Sequence, residues 1–253
     1  MSVPDYTIRR CENFEDYEKC MELQRKVWHT TDLEITPARI YIISQNSGGF
    51  LIGAFTENNE LLAFLHSFAG VDPQNQPIYY SHMLAVVPEY RNSGLGRELK
   101  LWQRIEAIKR QFKKVTWTFD PLRSLNAHFN INKLGCIVKE YKVNFYGTGN
   151  TSIFDAGIES DRLKAEWWVD SERVEKAIQG ENPAIDLSSP YVEIPTDISI
   201  IRGDSLAVTK EWRLRVRKDF QAMFDKGLVC TGFARGQQDQ FSRYYFSKSN
   251  SIF

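Results

Sequence analysis

The residues best equipped for chemistry form one continuous run, Met83-Leu84-Ala85-Val86-Val87-Pro88-Glu89-Tyr90-Arg91-Asn92-Ser93-Gly94-Leu95-Gly96-Arg97. An apolar and aromatic stretch from Ile78 to Val86 reads as a strand, and Pro88 breaks it. A loop holding Gly94 and Gly96 then opens a long helix. A helix N-terminus leaves backbone N–H groups unpaired and carries a positive partial charge. Glycines let a phosphate come close to that backbone. Arg91 and Arg97 add positive charge at the two ends of the loop. The chemistry on offer is anion binding, with an ordinary helix-initiating turn as the alternative. The loop lacks the G-K-[ST] ending of a nucleotide P-loop and the third glycine of a dinucleotide fingerprint.

The elements around this run follow from periodicity and punctuation. Tyr6 to Arg9 reads as a strand. Asn13 caps a helix whose Tyr17, Cys20, Met21, Gln24, Val27 and Trp28 fall near one face, with Gln24 the polar exception. A polar loop around Thr30, Thr31 and Asp32 follows. Phe50–Phe55 and Leu61–Phe68 form a hairpin about Glu57-Asn58-Asn59-Glu60. The longest helix is expected from Gly94 to Phe112, with Leu95, Leu99, Trp102, Ile105, Ile108 and Phe112 on its inner face. Val115–Phe119 is a strand, and Ser124–Leu134 a helix stopped by Gly135. Cys136–Tyr146 and Arg162–Val169 pair as strands around a Gly-, Thr- and Asn-rich connection. Ser171–Gln179 is a helix, and 181–190 a linker. Beyond it lie a strand near Tyr191–Ile201, a helix over Leu206–Phe224 and a hairpin of Leu228–Phe233 with Phe241–Phe246. The resulting fold class is α/β with a mixed sheet.

The strand, the glycine loop and the amphipathic helix, followed by Asn126-Ala127 and Lys133-Leu134-Gly135, resemble the GNAT N-acyltransferase superfamily over roughly residues 6–170. The resemblance implies a central sheet whose fourth and fifth strands splay, flanked by helices. It divides the chain into an acyltransferase domain at 1–180 and a small α+β extension at 190–253, packed on the core. It implies acetyl-CoA or another acyl-CoA as co-substrate. Pantetheine would pair with the backbone of Leu84, Ala85 and Val86. The pyrophosphate would rest on Arg91, Asn92, Ser93, Gly94, Leu95, Gly96 and Arg97, and Asn126 would face the cofactor. Many members place a proton-donating tyrosine four residues before the glycine of the closing K-L-G segment. Here that position is Ile131, so the thiolate, whose pKa is about 8.5, would leave unaided or with another donor.

Direct attack of an amine on a thioester needs a neutral amine, a donor to the carbonyl oxygen and close positioning. The Val86 amide is the donor that the resemblance implies. No carboxylate lies between Ile78 and Val86. Strand alternation puts Tyr80, His82 and Leu84 on one face, so His82 is the candidate base, against a plain strand histidine. Asp120 could orient or deprotonate the amine, against simple Asp-Pro turn chemistry. Glu34, Tyr141, Tyr146 and Arg162 are weaker candidates. Arg213 and Arg217, one helical turn apart, read as a solvated basic face.

Composition bounds the function. The 253 residues carry 32 basic and 32 acidic side chains, which disfavours a nucleic-acid binder. No apolar run reaches the ~18 residues that span a bilayer, and Met1–Tyr6 lacks a signal-peptide pattern. A cytoplasmic protein is expected, without membrane partners and with a homodimer left open. The four cysteines form no C-x-x-C pair, so no metal site is expected. The expected activity is transfer of a short acyl group, acetyl or succinyl, to a primary amine of a small molecule such as an amino acid. The alternative is a non-catalytic acyl-CoA-binding module.

Overall fold

The computed structural model describes residues 3–147, 157–181, 185–237 and 241–248. Two compact units share the chain, one running to Thr116 and the other from Trp117 onward. The described ends of the 181–190 linker lie inside the second unit. Most of the expected 147–160 connection lies outside the described residues.

The first unit contains β1 (Tyr6–Arg10), α1 (Phe14–Trp28), α2 (Ala38–Asn46), β2 (Phe50–Thr56), β3 (Leu61–Val71), β4 (Pro77–Val86), α3 (Leu95–Lys109) and the start of β5 (Lys114–Phe119). Its strands hydrogen-bond in the order β1-β2-β3-β4-β5. All neighbours are antiparallel except β4 and β5, which run parallel. Asn13 caps α1 by accepting the Asp16 amide at 2.9 Å. Tyr17, Cys20, Leu23 and Val27 of α1, with Tyr41 of α2, close over Leu51, Phe55, Phe64 and Ala85. Elsewhere in the unit, Phe50 meets Tyr79 at 5.0 Å and Trp102 of α3 at 5.2 Å between ring centroids. Helix α2 occupies a stretch to which the sequence pattern assigned no element. Its N-cap is Pro37 with no side-chain cap, and its consecutive apolar residues define no single face, so neither usual signal was present.

Two features of β4 position the site. Its parallel register with β5 covers only Ile78↔Lys114, Tyr79↔Val115 and Tyr80↔Thr116, while β4 itself continues to Val86. The paired register thus ends at Tyr80, six residues before β4 does. Just beyond, Ser67 pairs with Ser81 but His66 pairs with Met83. His82 is the extra residue of a β-bulge, which bends a strand and re-aims its side chains.

The second unit holds the end of β5, α4 (Ser124–Ala127), a π-helical turn (His128–Lys133), β6 (Ile137–Lys142), β7 (Arg162–Trp168), α5 (Glu172–Gln179), β8 (Tyr191–Pro195), α6 (Ile198–Asp204), α7 (Leu206–Asp225), β9 (Leu228–Ala234) and β10 (Phe241–Lys248). Its strands run β7-β6-β9-β10-β8, each antiparallel to the next. Three sequence expectations change here. Helix 124–134 breaks into a short α-turn and a π-turn before Gly135 stops it at φ 76°. The strand near 191–201 ends at Pro195, because Asp197 accepts the Ser199 amide and starts α6. The longest helix is α7, with 20 residues against 15 in α3. Phe220 of α7 centres the aromatic core, at 5.0 Å from Tyr244, 5.4 Å from Phe246 and 5.7 Å from Tyr141.

Candidate active site

The loop before α3 has the backbone that the sequence implied. Pro88–Tyr90 form a 3-10 turn, and the Ser93 hydroxyl donates to the Tyr90 carbonyl at 2.7 Å. Asn92 (φ 63°) and Gly94 (φ 97°) are both left-handed. The amides of Arg97 and Glu98 return to the Gly94 carbonyl at 2.9 and 3.1 Å. Among the described residues, the amides of Asn92, Gly94 and Gly96 donate to nothing, so they remain available to an anion at the positive end of α3. Gly94 is required by its backbone conformation. Gly96 is not sterically obligatory toward β4, since a Cβ there would sit 3.6 Å from Leu84 and Val86, an ordinary contact. Arg91 is exposed, Arg97 half-buried, and Asn126 exposed on α4.

The bulge corrects the expected face of β4. Ser81 accepts a hydrogen bond from Lys100 of α3. Leu84 and Val86 flank Gly96 of the same helix. His82 and Met83 both meet the Thr36 hydroxyl, at 3.3 Å from Nε2 and 3.8 Å from Sδ, and Met83 packs on the α1 cluster. Tyr80 and His82 therefore do not share a face with Leu84, because the inserted residue reverses the alternation.

His82 opens to solvent on one side. Its ring also stands 5.3 Å from Phe68 and 5.5 Å from His66, and this partial desolvation lowers its pKa. His66 is fully buried, with neither ring nitrogen hydrogen-bonded. Burial, and then the His82 charge, pull its pKa down to about 3. The result is a neutral imidazole at His82 near pH 7, held by Thr36. Sequence reading missed Thr36, yet Gln24 was its signal. That polar residue on an apolar helix face donates to the Thr36 carbonyl at 3.2 Å and accepts the Thr36 amide at 2.9 Å.

Asp120 differs from the expected base. Its Oδ1 accepts Arg213 at 2.7 Å and the Leu122 amide at 2.9 Å, and Arg123 stands 4.0 Å from Oδ2. Burial alone would raise its pKa, but the Arg213 charge and hydrogen bond outweigh burial and lower it. A carboxylate held ionised this way is a poor proton acceptor and a good anchor for a cation. Arg213 and Arg217 are likewise not a solvated face. Arg213 is 3% exposed, and Arg217 grips the fully buried Asp161 through Nε and Nη2, each at 2.8 Å. Tyr141 donates to Asp161 at 2.7 Å, and burial raises its pKa strongly, so it is an unsuitable acid. Tyr146 meets Thr118 at 3.0 Å. Ile131 is buried, at 2% exposed. Glu89 pairs with Lys26 at 3.0 Å.

Residues 10–135 match the sequence profile of the Acetyltransferase (GNAT) family. A GNAT-family member from Desulfovibrio desulfuricans superposes with TM-score 0.51 at 17% identity, over 65% of this chain and 99% of that one. A chain of the NatC complex bound to Gag peptide and CoA gives TM-score 0.51 at 14% identity, covering 64% and 97%. A GNAT acetyltransferase from Streptococcus pneumoniae gives 0.50 at 15%, covering 64% and 98%. No curated protein sequence matches the chain. The mixed sheet, the glycine loop and these superpositions define a GNAT fold. The chain carries a GNAT-family acetyltransferase domain, an enzyme class whose co-substrate is acetyl-CoA or another acyl-CoA. Among the described residues no helix is long and apolar enough to cross a membrane, and no group of His, Cys, Asp and Glu is disposed to hold a metal ion.

Proposed function

We propose that the enzyme transfers an acetyl or similarly short acyl group, succinyl included, from CoA to the primary amine of a small amino-acid-like molecule. The observation that carries this reading is the neutral His82 on the β4 bulge, close to Thr36, together with the absence of a β4 carboxylate. A histidine with a lowered pKa is a mild base. A free α-amine, with a pKa near 8, asks less of a base than lysine at about 10.4.

The pyrophosphate of CoA rests on the free amides of Asn92, Gly94 and Gly96, with Arg91 and Arg97 adding charge and Ser93 and Leu95 completing the loop. The backbone of Leu84, Ala85 and Val86 pairs with pantetheine, and the Val86 amide polarises the thioester. Asn126 offers its exposed carboxamide to the cofactor. His82 removes the proton from the ammonium. Tyr80 precedes the bulge and lines the approach. Ligands of parallel strands bind beyond their carboxyl ends. Asp120 directly follows the carboxyl end of β5, so it orients the amine rather than deprotonating it. Buried Ile131 donates nothing, and the thiolate leaves without a side-chain acid.

The test is release of CoA from acetyl-, propionyl- and succinyl-CoA in the presence of free amino acids, polyamines, aminoglycosides and N-terminal peptides. Turnover confined to peptides, or to none of these amines, would overturn the small-amine reading.

A further inference from the structure

The segment joining β5 to α4, Asp120–Ser124, is held from the C-terminal extension at four of its five residues. Arg213 of α7 donates to Asp120 at 2.7 Å. Tyr244 of β10, fully buried, donates to the Pro121 carbonyl at 2.8 Å. Arg123 donates to the Ser199 hydroxyl of α6 at 3.2 Å. The Ser124 hydroxyl donates to the Thr196 carbonyl, and Thr196 is itself tied to Ser242 of β10 at 2.8 Å. These contacts come from α6, α7, β10 and the stretch after β8, elements that also pack on one another within the extension.

We propose that the extension shapes the β5–α4 turn for the reaction. Arg213 is a positioning residue that fixes Asp120, and with it the β5–α4 turn, for the incoming amine. The geometry gives the contact a direction. Arg213 and the Leu122 amide both occupy Oδ1. Among the described residues Oδ2 accepts no hydrogen bond, and Arg123 stands 4.0 Å from it. Arg213 thus fixes the rotation of the carboxylate and leaves one oxygen for an ammonium. Arg213 is 3% exposed and its Nε has no partner, so Asp120 is the main compensation for its burial, with Asp161 adding a smaller part. A buried arginine of that kind is a steep determinant of where its partner sits. The inference rests on the reading that Asp120 orients the acceptor.

The experiment compares Arg213→Met, Arg213→Lys and Asp120→Asn with the parent protein, all assayed well below their melting temperatures. The parent's amine panel, measured first, tests the small-amine reading by itself. Three quantities are then read in each variant: kcat and KM for the amine, Kd for acetyl-CoA, and hydrogen exchange of the Leu122–Ser124 amides. Arg213→Met is expected to lower kcat/KM for the amine at least tenfold and to speed that exchange. Acetyl-CoA affinity should stay within twofold, because the phosphate loop is elsewhere in the chain. Arg213→Lys should recover part of the loss, and Arg213→Met combined with Asp120→Asn should be no worse than Asp120→Asn alone. Unchanged exchange in folded Arg213→Met overturns the positioning role. So does faster exchange with the parent's amine kinetics, or an equal loss of acetyl-CoA binding.

Discussion

At the residue scale, a few backbone and side-chain states govern the chemistry. Gly94 sits at φ 97° with open space around it, so Gly94→Glu leaves the core intact while it strains the loop and puts a carboxylate among the free amides. Acetyl-CoA affinity should fall at least a hundredfold by calorimetry, with the circular dichroism unchanged. His82→Ala should lower turnover at least tenfold on the scale of general bases. Because desolvation already places the His82 pKa below its ordinary value, the parent's rate should rise toward pH 8 with the amine. It should show no falling limb at pH 9, since Tyr141 is tied to Asp161. The buried histidine also sets acid stability. His66 binds a proton more readily unfolded than folded, where its pKa is about 3. Stability is therefore fully present above pH ~6.5 and declines as pH falls, by up to about 1.4 kcal/mol per unit until the folded pKa is reached. Urea midpoints at pH 4.5 and 7 check this, and His66→Leu should flatten the difference. The loop residues were legible because glycine, proline and arginine are read locally. The His66–His82 contact was not, because it depends on strand register, which alternation alone does not reveal.

At the element scale, the outcome turns on β4 and α7. Period-two reasoning identified β4 but misplaced its faces, since a bulge is a pairing event between two strands and leaves no mark in one of them. The short parallel register of β4 with β5 is likewise a property of the pair and not of either strand. Helix α7 was legible in extent, because Ser205 caps it and its apolar residues repeat. The direction of its arginines was not. Arg213 and Arg217 look like surface charge until Asp120 and Asp161, far away in sequence, are folded beneath them. Asp161 accepts Arg217, Tyr141 and the Asn144 amide while fully buried. Asp161→Ala should therefore destabilise the protein by about 3 kcal/mol, the loss expected on breaking a buried pair. Equilibrium denaturation measures it, and a change under 1 kcal/mol would show that solvent rescues the network.

At the scale of the whole molecule, the question is what residues 190–253 contribute. We propose that they are an integral layer of the acyltransferase and not an independent domain. Read from sequence, the stretch had a linker before it and no motif within it, and both signs suit a detachable module equally well. The structure gives several contacts that detachment would break. Strand β6 pairs with β9 at Val138↔Cys230. Asn132 donates to the Phe233 carbonyl at 2.8 Å, and Arg173 of α5 donates to the Thr231 carbonyl. Arg213 and Arg217 neutralise carboxylates that are 12% and 0% exposed. A chain ending at 189 would expose the β6 edge and leave Asp120 and Asp161 without their arginines, each such loss worth about 3–5 kcal/mol if the carboxylate stays buried. Two losses of that size match the whole stability of a typical domain, about 5–15 kcal/mol. The converse fragment fares no better. About 60 residues bury too little surface to be more than marginal alone, and Phe220 and Tyr244 would lose the contacts that Tyr141 and Pro121 supply. The expected result is that 1–189 is insoluble or lacks a cooperative transition, that 190–253 is unfolded by circular dichroism, and that the two co-expressed recover acetyl-CoA turnover. A soluble 1–189 fragment with the parent's melting temperature and kcat would refute this account.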